Sequence, residues 1–437
     1  LNQEIESSSV GKVNGKIIPN NISKHETCTI PWTDLIAYYP FSHIIGNCLF
    51  NESSYTNQNG RLYNTPTASI ENQTTPLPFI SNANTDWDTS STWVNNTVQY
   101  IPNTSINGTN VDWNIVEISH NINVNRDLMV LGLFSHSNKL TVNGNNASLT
   151  GNGLTITHYL KLDGAIDLQG ESQLIQGSDS TLDVTSAGTL ERDQQGTKDL
   201  YTYNYWSSPV GLTNTSSNNN SYTLTDILND GSDASNPLSI TFVSGYNGSP
   251  GSSGTIPINL ASYWVWKYAN KLTDSYASWQ HVKNTGTIFA GEGYTMKGID
   301  NSATSFTEEQ NYVFNGKPNN GDITLTLSAG NEYLVGNPYA SAIDADEFIL
   351  DNINTGAGRA LTIIIDGTLY FWDHFAGNTH VLREYQGGYA TYTLMGGIKQ
   401  YQRILELMLL VKWVLKYHNN IFLLVKGFLL LPMLAEQ

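Results

Sequence analysis

Apolar residues between positions 115 and 190 recur in short runs that Gly, Asn or Asp closes. These runs are LMVLGL at 128–133, KLTVNG at 139–144, GLTITHYLKLDG at 153–164, AIDLQG at 165–170, SQLIQG at 172–177 and STLDVTSAGTL at 180–190. Short strands with apolar residues inward and turn residues at the corners are typical of a solenoid of parallel β coils. The spacing of the runs is irregular, which leaves a β-sandwich open as the alternative. We predict an all-β chain with a parallel β-solenoid-like segment over residues 85–196.

The pattern changes beyond residue 196. Tyrosines alternate with polar residues at 201–205 and lead through Trp206 into a Ser-Ser-Pro turn, as in a strand with one aromatic face. The runs SYWVWKY at 262–268, YASWQHV at 276–282 and GEGYTMKG at 291–298 follow, with turns between them. This spacing predicts an antiparallel β-sandwich-like unit over 197–330.

The same order of features recurs once. YLVGNPYASAIDADEFILDN at 333–352 and TLYFWDH at 368–374 repeat an aromatic strand, a Ser or Asn before Pro, a short helix and a strand with adjacent aromatic residues. We therefore predict a second, truncated copy of the unit over 331–397. This copy lacks a counterpart of GEGYTMKG, and the place to look for one is the C-terminal stretch.

Residues 398–437 differ abruptly from the rest of the chain. Leu dominates, and Gly, Ser and Thr nearly vanish. Lys412, Lys416 and Lys426 interrupt the apolar runs, so neither run reaches the ~18 uncharged residues that a transmembrane helix needs. We interpret 398–437 as an out-of-frame tail in which a shifted frame would encode GKGFF, the missing counterpart of GEGYT, and we expect the tail to pack poorly.

The first 84 residues are rich in Asn, Ser and Pro. Their one apolar run, DLIAYYPF at 34–41, predicts a strand, and the prolines between 61 and 79 predict a linker. Residues 1–84 would then be an N-terminal fragment and linker. The chain begins at Leu1 with no signal peptide, from which we expect a fragment of something longer.

Charge narrows the possible partners. The net charge is -17 and only 14% of residues are charged, while Asn, Ser, Thr and Gly fill the polar positions. Like charge repels the phosphate backbone, so nucleic acid and anionic membranes are excluded as partners. This composition is typical of β-rich extracellular proteins. Cys28 and Cys48 could form a disulfide or remain two free thiols.

Several long motifs carry a family resemblance. They are WDTSSTW, VDWNIVEISHNINVNRDLMVLGL, HYLKLDGAIDLQGESQLIQ, GTLERDQQGTKDLYTYNYWSSPVG, GEGYTMKG, YLVGNPYASAIDADEFILDN and LYFWDHFAGNTHVLREYQGGYATYTLMGG. Together they resemble the central region of large secreted surface proteins of the Bacteroidota type, over about Asp86–Gly397. The resemblance implies export by the type IX secretion system and a location at the cell surface or outside the cell. We expect no C-terminal sorting domain in this product, a departure from the pattern of such proteins, and DLIAYYPF with GRLYN resembles a remnant of a concanavalin-type domain.

Two sets of residues could bind ligands. Trp264, Trp266 and Tyr268 would point one way in a strand, and an exposed face of this kind could stack on sugar rings. If the face points inward, the same residues are core, which we favour. Asp344 and Asp346 could bind calcium through paired carboxylates, although such acids more often cap a helix.

Other polar groups favour structural roles. Asp163 and Asp167, with Glu171, could be the acid pair of a polysaccharide-degrading enzyme, but they fit solvated corners of the coils better. Glu191, Arg192 and Asp193 suggest a surface ion network that closes the solenoid. Three histidines of the solenoid segment are spaced so that they could stack into a metal-binding ladder, and a second set near residue 375 could serve a metal or a nucleophile. Chance placement explains both sets better. The two sets are His120, His136 and His158, and Asp373, His374 and His380.

These observations predict a non-catalytic structural or adhesive protein of the cell surface. A carbohydrate-binding module built on the tryptophan face is the first alternative, and a polysaccharide-degrading enzyme is the second. We expect no cofactor other than calcium, an extracellular polysaccharide or cell-surface component as partner, and no transmembrane span.

Overall fold

A computed structural model describes residues 5–7, 13–15, 22–24, 28–30, 34, 36–39, 44–45, 47–51, 53, 55, 57–64, 78–94, 101–106, 109–112, 114–252, 254–272, 275–302, 304–361, 364–398, 421–422 and 427–430. The chain divides into two compact units. An N-terminal unit comprises Leu1–Gly144, Gly151–Asp167 and Leu174–Gly188. A C-terminal unit comprises Asn145–Thr150, Leu168–Gln173 and Thr189–Gln437.

Nineteen strands precede residue 189 among the described residues. They are β1 (Ile5–Ser7), β2 (Val13–Gly15), β3 (Ile22–Lys24), β4 (Cys28–Ile30), β5 (Ile44–Ile45), β6 (Cys48–Leu49), β7 (Gly60–Arg61), β8 (Phe79–Ile80), β9 (Thr85–Asp86), β10 (Ser105–Ile106), β11 (Thr109–Asn110), β12 (Ile115–Ile118), β13 (Ile122–Val124), β14 (Leu128–Ser135), β15 (Lys139–Val142), β16 (Gly153–Leu162), β17 (Ala165–Leu168), β18 (Gln173–Gln176) and β19 (Thr181–Leu182). The strand expected at 34–41 is not found, because residues 34 and 36–39 lie outside any strand. Most of the expected linker, 65–77, lies outside the described residues.

A parallel β-solenoid forms the larger part of the N-terminal unit, as the sequence predicts. In one sheet β8, β12, β14, β16 and β19 run parallel in that order, and in another β9, β13 and β15 do so. The register aligns Val116 with Leu133, Leu133 with Leu160, and Leu160 with Leu182. All four are at most 1% exposed, so each coil buries its aliphatic residue only by stacking on its neighbours.

Asparagine side chains join successive coils at their corners. Asn84 Oδ1 accepts a hydrogen bond from the backbone N–H of Asn121 at 2.8 Å, and Asn121 Oδ1 accepts one from the N–H of Lys139 at 3.0 Å. At the next corner Asn143 donates to Asn125 Oδ1 at 2.6 Å. Asparagine is suited to this position because its short amide can hydrogen-bond nearby backbone groups. The high Asn content of the chain therefore has a structural use.

The C-terminal unit contains the remaining strands and two helices. They are β20 (Thr189–Thr197), β21 (Tyr203–Trp206), β22 (Val210–Gly211), α1 (Leu224–Ile227), β23 (Leu228–Asp230), β24 (Leu238–Ser239), β25 (Thr241–Val243), β26 (Asn259–Ala261), β27 (Trp266–Lys267), β28 (Lys271–Leu272), β29 (Gln280–His281), β30 (Tyr294–Lys297), β31 (Glu309–Pro318), β32 (Asn331–Gly336), β33 (Ile343–Asp344), α2 (Ala345–Asn352), β34 (Leu369–Ala376), β35 (Gln386–Thr393), β36 (Gly396–Ile398), β37 (Ile421–Phe422) and β38 (Gly427–Leu430). Residues 189–196, assigned to the solenoid from the sequence, lie in β20, which pairs antiparallel with β31.

The charged residues of β20 are buried rather than exposed. Glu191 is 8% exposed, and Arg192 and Asp193 are each 2% exposed. Arg192 donates to the carbonyl of Gly170, and Asp193 accepts from the N–H of Gly170 at 3.1 Å. The expected surface ion network is therefore wrong. Arg192 and Asp193 instead hydrogen-bond the backbone of Gly170 inside the C-terminal unit.

The predicted duplication is visible in the strand order. The first repeat is an antiparallel sheet with the order β21-β30-β27-β29, and the second repeat contains β32-β38-β34-β35 in the same relative order and directions. In the first repeat Trp206 pairs with Tyr294 and Trp266 with Thr295. In the second, Val335 pairs with Phe428 and Tyr370 with Leu429.

A third pairing fixes the alignment of the two repeats. Before each helix the chain pairs with a residue six positions ahead of an equivalent residue of the inner strand: Tyr222 pairs with Ile288, six before Tyr294, and Ile343 pairs with Phe422, six before Phe428. Residues 427–430 thus form the counterpart of GEGYTMKG that the sequence placed in the tail. They pair antiparallel with β32 and, at Leu429, with Tyr370 of β34, so their backbone takes the inner position of this sheet. The poor packing that we expect of the tail stays a prediction. The rest of 399–437, apart from 421–422, lies outside the described residues.

Candidate functional site

A buried lysine occupies the end of the inner strand of the first repeat. Lys297 is 3% exposed, and all four residues of β30 are buried. The register sets Lys297 opposite Tyr203 and Thr295 opposite Tyr205. Because side chains alternate along a strand, these four share one face of the sheet, while Trp206 and Tyr294 occupy the other. The second face packs on β31, where the Trp206 ring lies 5.1 Å from that of Tyr312.

Three aromatic rings surround the lysine nitrogen. Lys297 Nζ lies 3.7 Å from the ring centroid of Trp264, 4.4 Å from that of Tyr203 and 4.7 Å from that of Tyr385. All three distances are within the ~6 Å range of cation–π attraction. Tyr203 and Trp264 belong to the first repeat, whereas Tyr385 comes from the turn before β35 of the second. We call this arrangement the Lys297 cage.

Two polar groups complete the Lys297 cage. Lys297 Nζ lies 3.3 Å from Nδ1 of His380 and contacts the hydroxyl of Tyr385. His380 Nε2 faces the side-chain oxygen of Asn247 at 2.7 Å, so a neutral imidazole with its proton on Nε2 satisfies both contacts. His380 is half-buried and stacks on Trp264 at 4.8 Å, while Asn247 is exposed. The His380 side of the cage therefore leads to an exposed residue.

Burial determines the protonation of these groups. Desolvation lowers the pKa of Lys297 to about 7, against a smaller opposing effect of the Asp199 carboxylate. Desolvation also lowers the pKa of His380, and the nearby Lys297 lowers it further. It raises the pKa of both Tyr203 and Tyr385. Burial thus favours the neutral form of the Lys297 amine and of the two phenols.

No carboxylate among the described residues forms an ion pair with Lys297. Asp199 is the described acid whose charge raises the pKa of Lys297, but Asp199 Oδ2 accepts from the N–H groups of Tyr201 and Thr202 at 3.0 and 2.8 Å. Its Oδ1 accepts from the Ser305 hydroxyl at 3.1 Å. Asp199 is thus hydrogen-bonded within the loop before β21, and its effect on the pKa of Lys297 is smaller than that of burial.

A second lysine of the first repeat provides a contrast. Lys267 Nζ lies 2.7 Å from Glu292 Oε2, and Tyr333 of the second repeat donates to Glu292 Oε1 at 2.7 Å. The side chains of Lys267 and Glu292 are 12% and 3% exposed. Here the buried charge is paired and hydrogen-bonded, as buried charges usually are. Lys297 has no such carboxylate within hydrogen-bonding distance among the described residues.

The three aromatic residues predicted to bind glycans divide into two environments. Trp264 and Tyr268 are 5% and 3% exposed, so neither presents a ring face to solvent, which supports the core interpretation. The expected alternation fails because Ser262–Trp264 is a 3₁₀ turn and only Trp266–Lys267 is a strand. Trp266 is half-buried and stacks on exposed His281 at 4.2 Å.

The predicted calcium ligands have helix-end contacts. Asp344 Oδ1 accepts from the N–H groups of Asp346 and Glu347 at 2.9 and 3.2 Å, which caps α2. Asp346 Oδ1 accepts from the Tyr392 hydroxyl at 3.0 Å. No group of three or more His, Cys, Asp or Glu side chains within the described residues is arranged to hold a metal ion. These contacts support the capping interpretation.

The solenoid acids are also engaged in structural contacts. Asp163 accepts from the N–H of Ala187 at 3.0 Å and lies 3.3 Å from Lys161. Asp167 is 3% exposed and lies 3.8 Å from Lys139 Nζ, so it is not the solvated corner that we expected. Glu171, in the C-terminal unit, lies 4.0 Å from Arg192.

The histidines of the solenoid have separate partners. His120 bonds Ser81 at 2.8 Å, His136 lies 3.3 Å from Glu117, and His158 contacts Thr157 at 3.0 Å. They form no metal-binding ladder. In the second repeat His374 packs against the Tyr385 ring at 5.3 Å, and the side chain of Asp373 lies outside the described residues. Cys48 has a free, half-buried thiol.

Sequence reasoning selected His380 but missed Lys297. The signal was present in GEGYTMKG, where a lysine ends a strand whose other residues face a core. The ammonium group of such a lysine must form an ion pair, reach solvent or lose its proton. The rings that surround it come from residues 203, 264 and 385, which no local pattern connects.

Comparisons with known proteins give one match. Residues 243–404 match a family described as "Domain of unknown function (DUF8693)". This span includes Trp264, Lys297, His380 and Tyr385 of the Lys297 cage. No curated protein and no solved structure matches the chain. None of the helices in the described part of the chain is long and apolar enough to cross a membrane.

Proposed function

We propose that this chain is a non-catalytic structural and adhesive part of a secreted or cell-surface protein. The observation that carries the proposal is the set of structural contacts made by the candidate catalytic acids. Asp163, Asp167 and Glu171 each contact a basic side chain, and Asp163 also accepts a backbone N–H. An acid pair for glycoside cleavage needs free carboxyl groups that flank a substrate. These acids instead stabilise the fold.

The architecture is consistent with a load-bearing role. Stacked aliphatic residues and asparagine bonds join the coils of the solenoid, and the C-terminal unit contains the same antiparallel sheet twice. The two repeats contact each other through aromatic rings, among them Tyr205 and Trp372, which stack at 6.1 Å. Such contacts bury large apolar areas and resist separation.

Adhesion is testable with beads coated with the full chain. Under flow, such beads should attach to surfaces coated with bacterial extracellular polysaccharide or with whole cells, and albumin-coated beads should not. Incubation with the same polysaccharides should release no reducing ends. Attachment no better than that of albumin-coated beads would contradict the proposal. So would the release of reducing ends by the wild type if the Asp163→Asn variant releases none.

A carbohydrate-binding module is the second candidate, and a surface group of rings favours it. Tyr246 is 57% exposed and lies 4.7 Å from Tyr263, which in turn lies 6.1 Å from Trp266 and 5.5 Å from His281. Flat aromatic faces match the apolar faces of pyranose rings. If this group binds glycans, Trp266→Ala should abolish retention on polysaccharide gels, whereas Phe306→Ala, at another exposed ring, should not.

A further inference from the structure

We infer that Lys297 is a reactive amine and that the Lys297 cage is a capture site for small uncharged aldehydes, which it binds covalently as an imine. This inference goes beyond the structural and adhesive role and does not depend on it. Three ring faces, one imidazole nitrogen and one phenol surround Nζ of Lys297.

An amine must be neutral to attack a carbonyl carbon, and the surroundings of Lys297 favour the neutral form. Lys297 is 3% exposed, and no described carboxylate forms an ion pair with it. The lowered pKa, about 7, agrees with this geometry. Desolvation beside hydrophobic surface is one of the ways in which lysine nucleophiles are activated. Lys267, paired with Glu292, lacks this condition.

The neighbouring groups can carry the protons of imine formation. The Nζ lone pair adds to the carbonyl carbon, and the carbonyl bond electrons move to the oxygen. His380 Nδ1, 3.3 Å from Nζ, can accept the proton that the nitrogen loses, and the Tyr385 hydroxyl can donate one to the oxygen. The imidazolium of His380 then gives its proton to that oxygen, which leaves as water while the nitrogen lone pair forms the carbon–nitrogen double bond, and the proton still on the nitrogen passes to the Tyr385 phenolate. One aldehyde and one amine give one imine and one water, with no oxidant or reductant.

The walls of the cage define the class of aldehyde. The rings of Tyr203, Trp264 and Tyr385 offer apolar faces. The reacting form of Lys297 is the neutral amine, which carries no positive charge that could pair with an anionic group of the aldehyde. A carboxylate or phosphate on the aldehyde would then be buried without a partner, which is costly. The site therefore suits a small neutral aldehyde. Entry requires movement of His380, which is held by its hydrogen bond to exposed Asn247 and by its stacking on Trp264.

Reductive trapping tests the inference on the full-length protein. Propanal and sodium cyanoborohydride at pH 7 convert an imine to a stable secondary amine, which peptide mass spectrometry locates. At pH 7 an ordinary lysine with a pKa of about 10.4 is neutral in only a few molecules per ten thousand. Because burial favours the neutral amine of Lys297, although the group is less accessible, we expect it to be labelled at least about tenfold faster than exposed Lys271 and Lys283.

Controls separate capture from general reactivity. Lys267 should stay unlabelled because its ion pair with Glu292 keeps it charged. Asn247→Ala should raise the labelling rate of Lys297 severalfold and leave that of Lys271 unchanged. The rate at Lys297 should rise with a midpoint near pH 7. Labelling of Lys297 no faster than that of Lys271, in both the wild type and Asn247→Ala, would overturn the inference.

Discussion

Replacement of Lys297 by Met should stabilise the protein at neutral pH. Burial moves the pKa of Lys297 from 10.5 to about 7, and each unit corresponds to about 1.4 kcal/mol, which gives a cost of about 5 kcal/mol as an upper limit. Cation–π attraction to three rings offsets about 2 kcal/mol of this. Met fills a similar volume and carries no charge. We therefore expect a gain of about 3 kcal/mol in the free energy of unfolding.

The pH dependence gives the prediction its sign. Between about pH 7 and 10.5 the unfolded lysine holds a proton that the folded lysine has lost, so the unfolded state binds more protons and wild-type stability rises with pH. Below about pH 7 the lysine is protonated in both the folded and the unfolded state, so the folded protein bears the full cost of burying the charge. The advantage of Lys297→Met should thus be largest at or below pH 7 and shrink towards zero near pH 10.5.

Urea unfolding of the wild type and of Lys297→Met from pH 6 to 10 measures the difference in their free energies of unfolding. The contribution of tyrosine titration is the same in both proteins and cancels in this difference. Lys267→Met is the matched control, since it leaves Glu292 buried without its partner at 2.7 Å and should destabilise by about 3–5 kcal/mol. A difference between wild type and Lys297→Met that stays constant over this pH range would refute a buried, unpaired Lys297.

Three further predictions concern the fold. Leu160→Ala, at a position that is 0% exposed between two coils, should cost about 3–5 kcal/mol in chemical unfolding, whereas Met129→Ala, at 38% exposure, should cost far less. Asp344→Ala removes the cap of α2 and should cost about 1 kcal/mol, and calcium should raise the melting temperature of neither protein; a rise in the wild type alone would revive the calcium site. Leu429→Pro interrupts the inner strand of the second repeat, so hydrogen exchange of the amides of Tyr333–Gly336 should accelerate while those of Tyr203–Trp206 stay protected, and equal protection in the variant would contradict the placement of β38.

Local patterns predicted the repeated elements of the fold well. The solenoid strands followed from the runs that contain Leu133 and Leu160, because a coil that stacks on its neighbours repeats its inward residues. The second repeat followed from the recurrence of a strand, Pro and helix, and the absence of a partner for GEGYTMKG directed attention to the tail. Residues 427–430 fill that position even though their sequence differs, because strand pairing uses backbone groups that every residue except proline supplies.

Long-range contacts could not be predicted in the same way. The end of the solenoid was placed at 196, because nothing local shows that Arg192 and Asp193 lie in a strand that pairs with residues 309–316. Trp264 was assigned to a strand face since a 3₁₀ turn of three residues leaves no periodic signal. The Lys297 cage needs Tyr385 from the second repeat, 88 positions away, so a single sequence gives its members no connection.

The most direct test of a structural and adhesive role is the size of a polysaccharide that the full-length chain has bound. End-labelled extracellular polysaccharides should be retained by the immobilised protein and should elute at their original length on size-exclusion chromatography after prolonged incubation. Shortened chains that disappear when Asp163→Asn and Asp167→Asn are combined would contradict this role and restore the solenoid acids as catalysts.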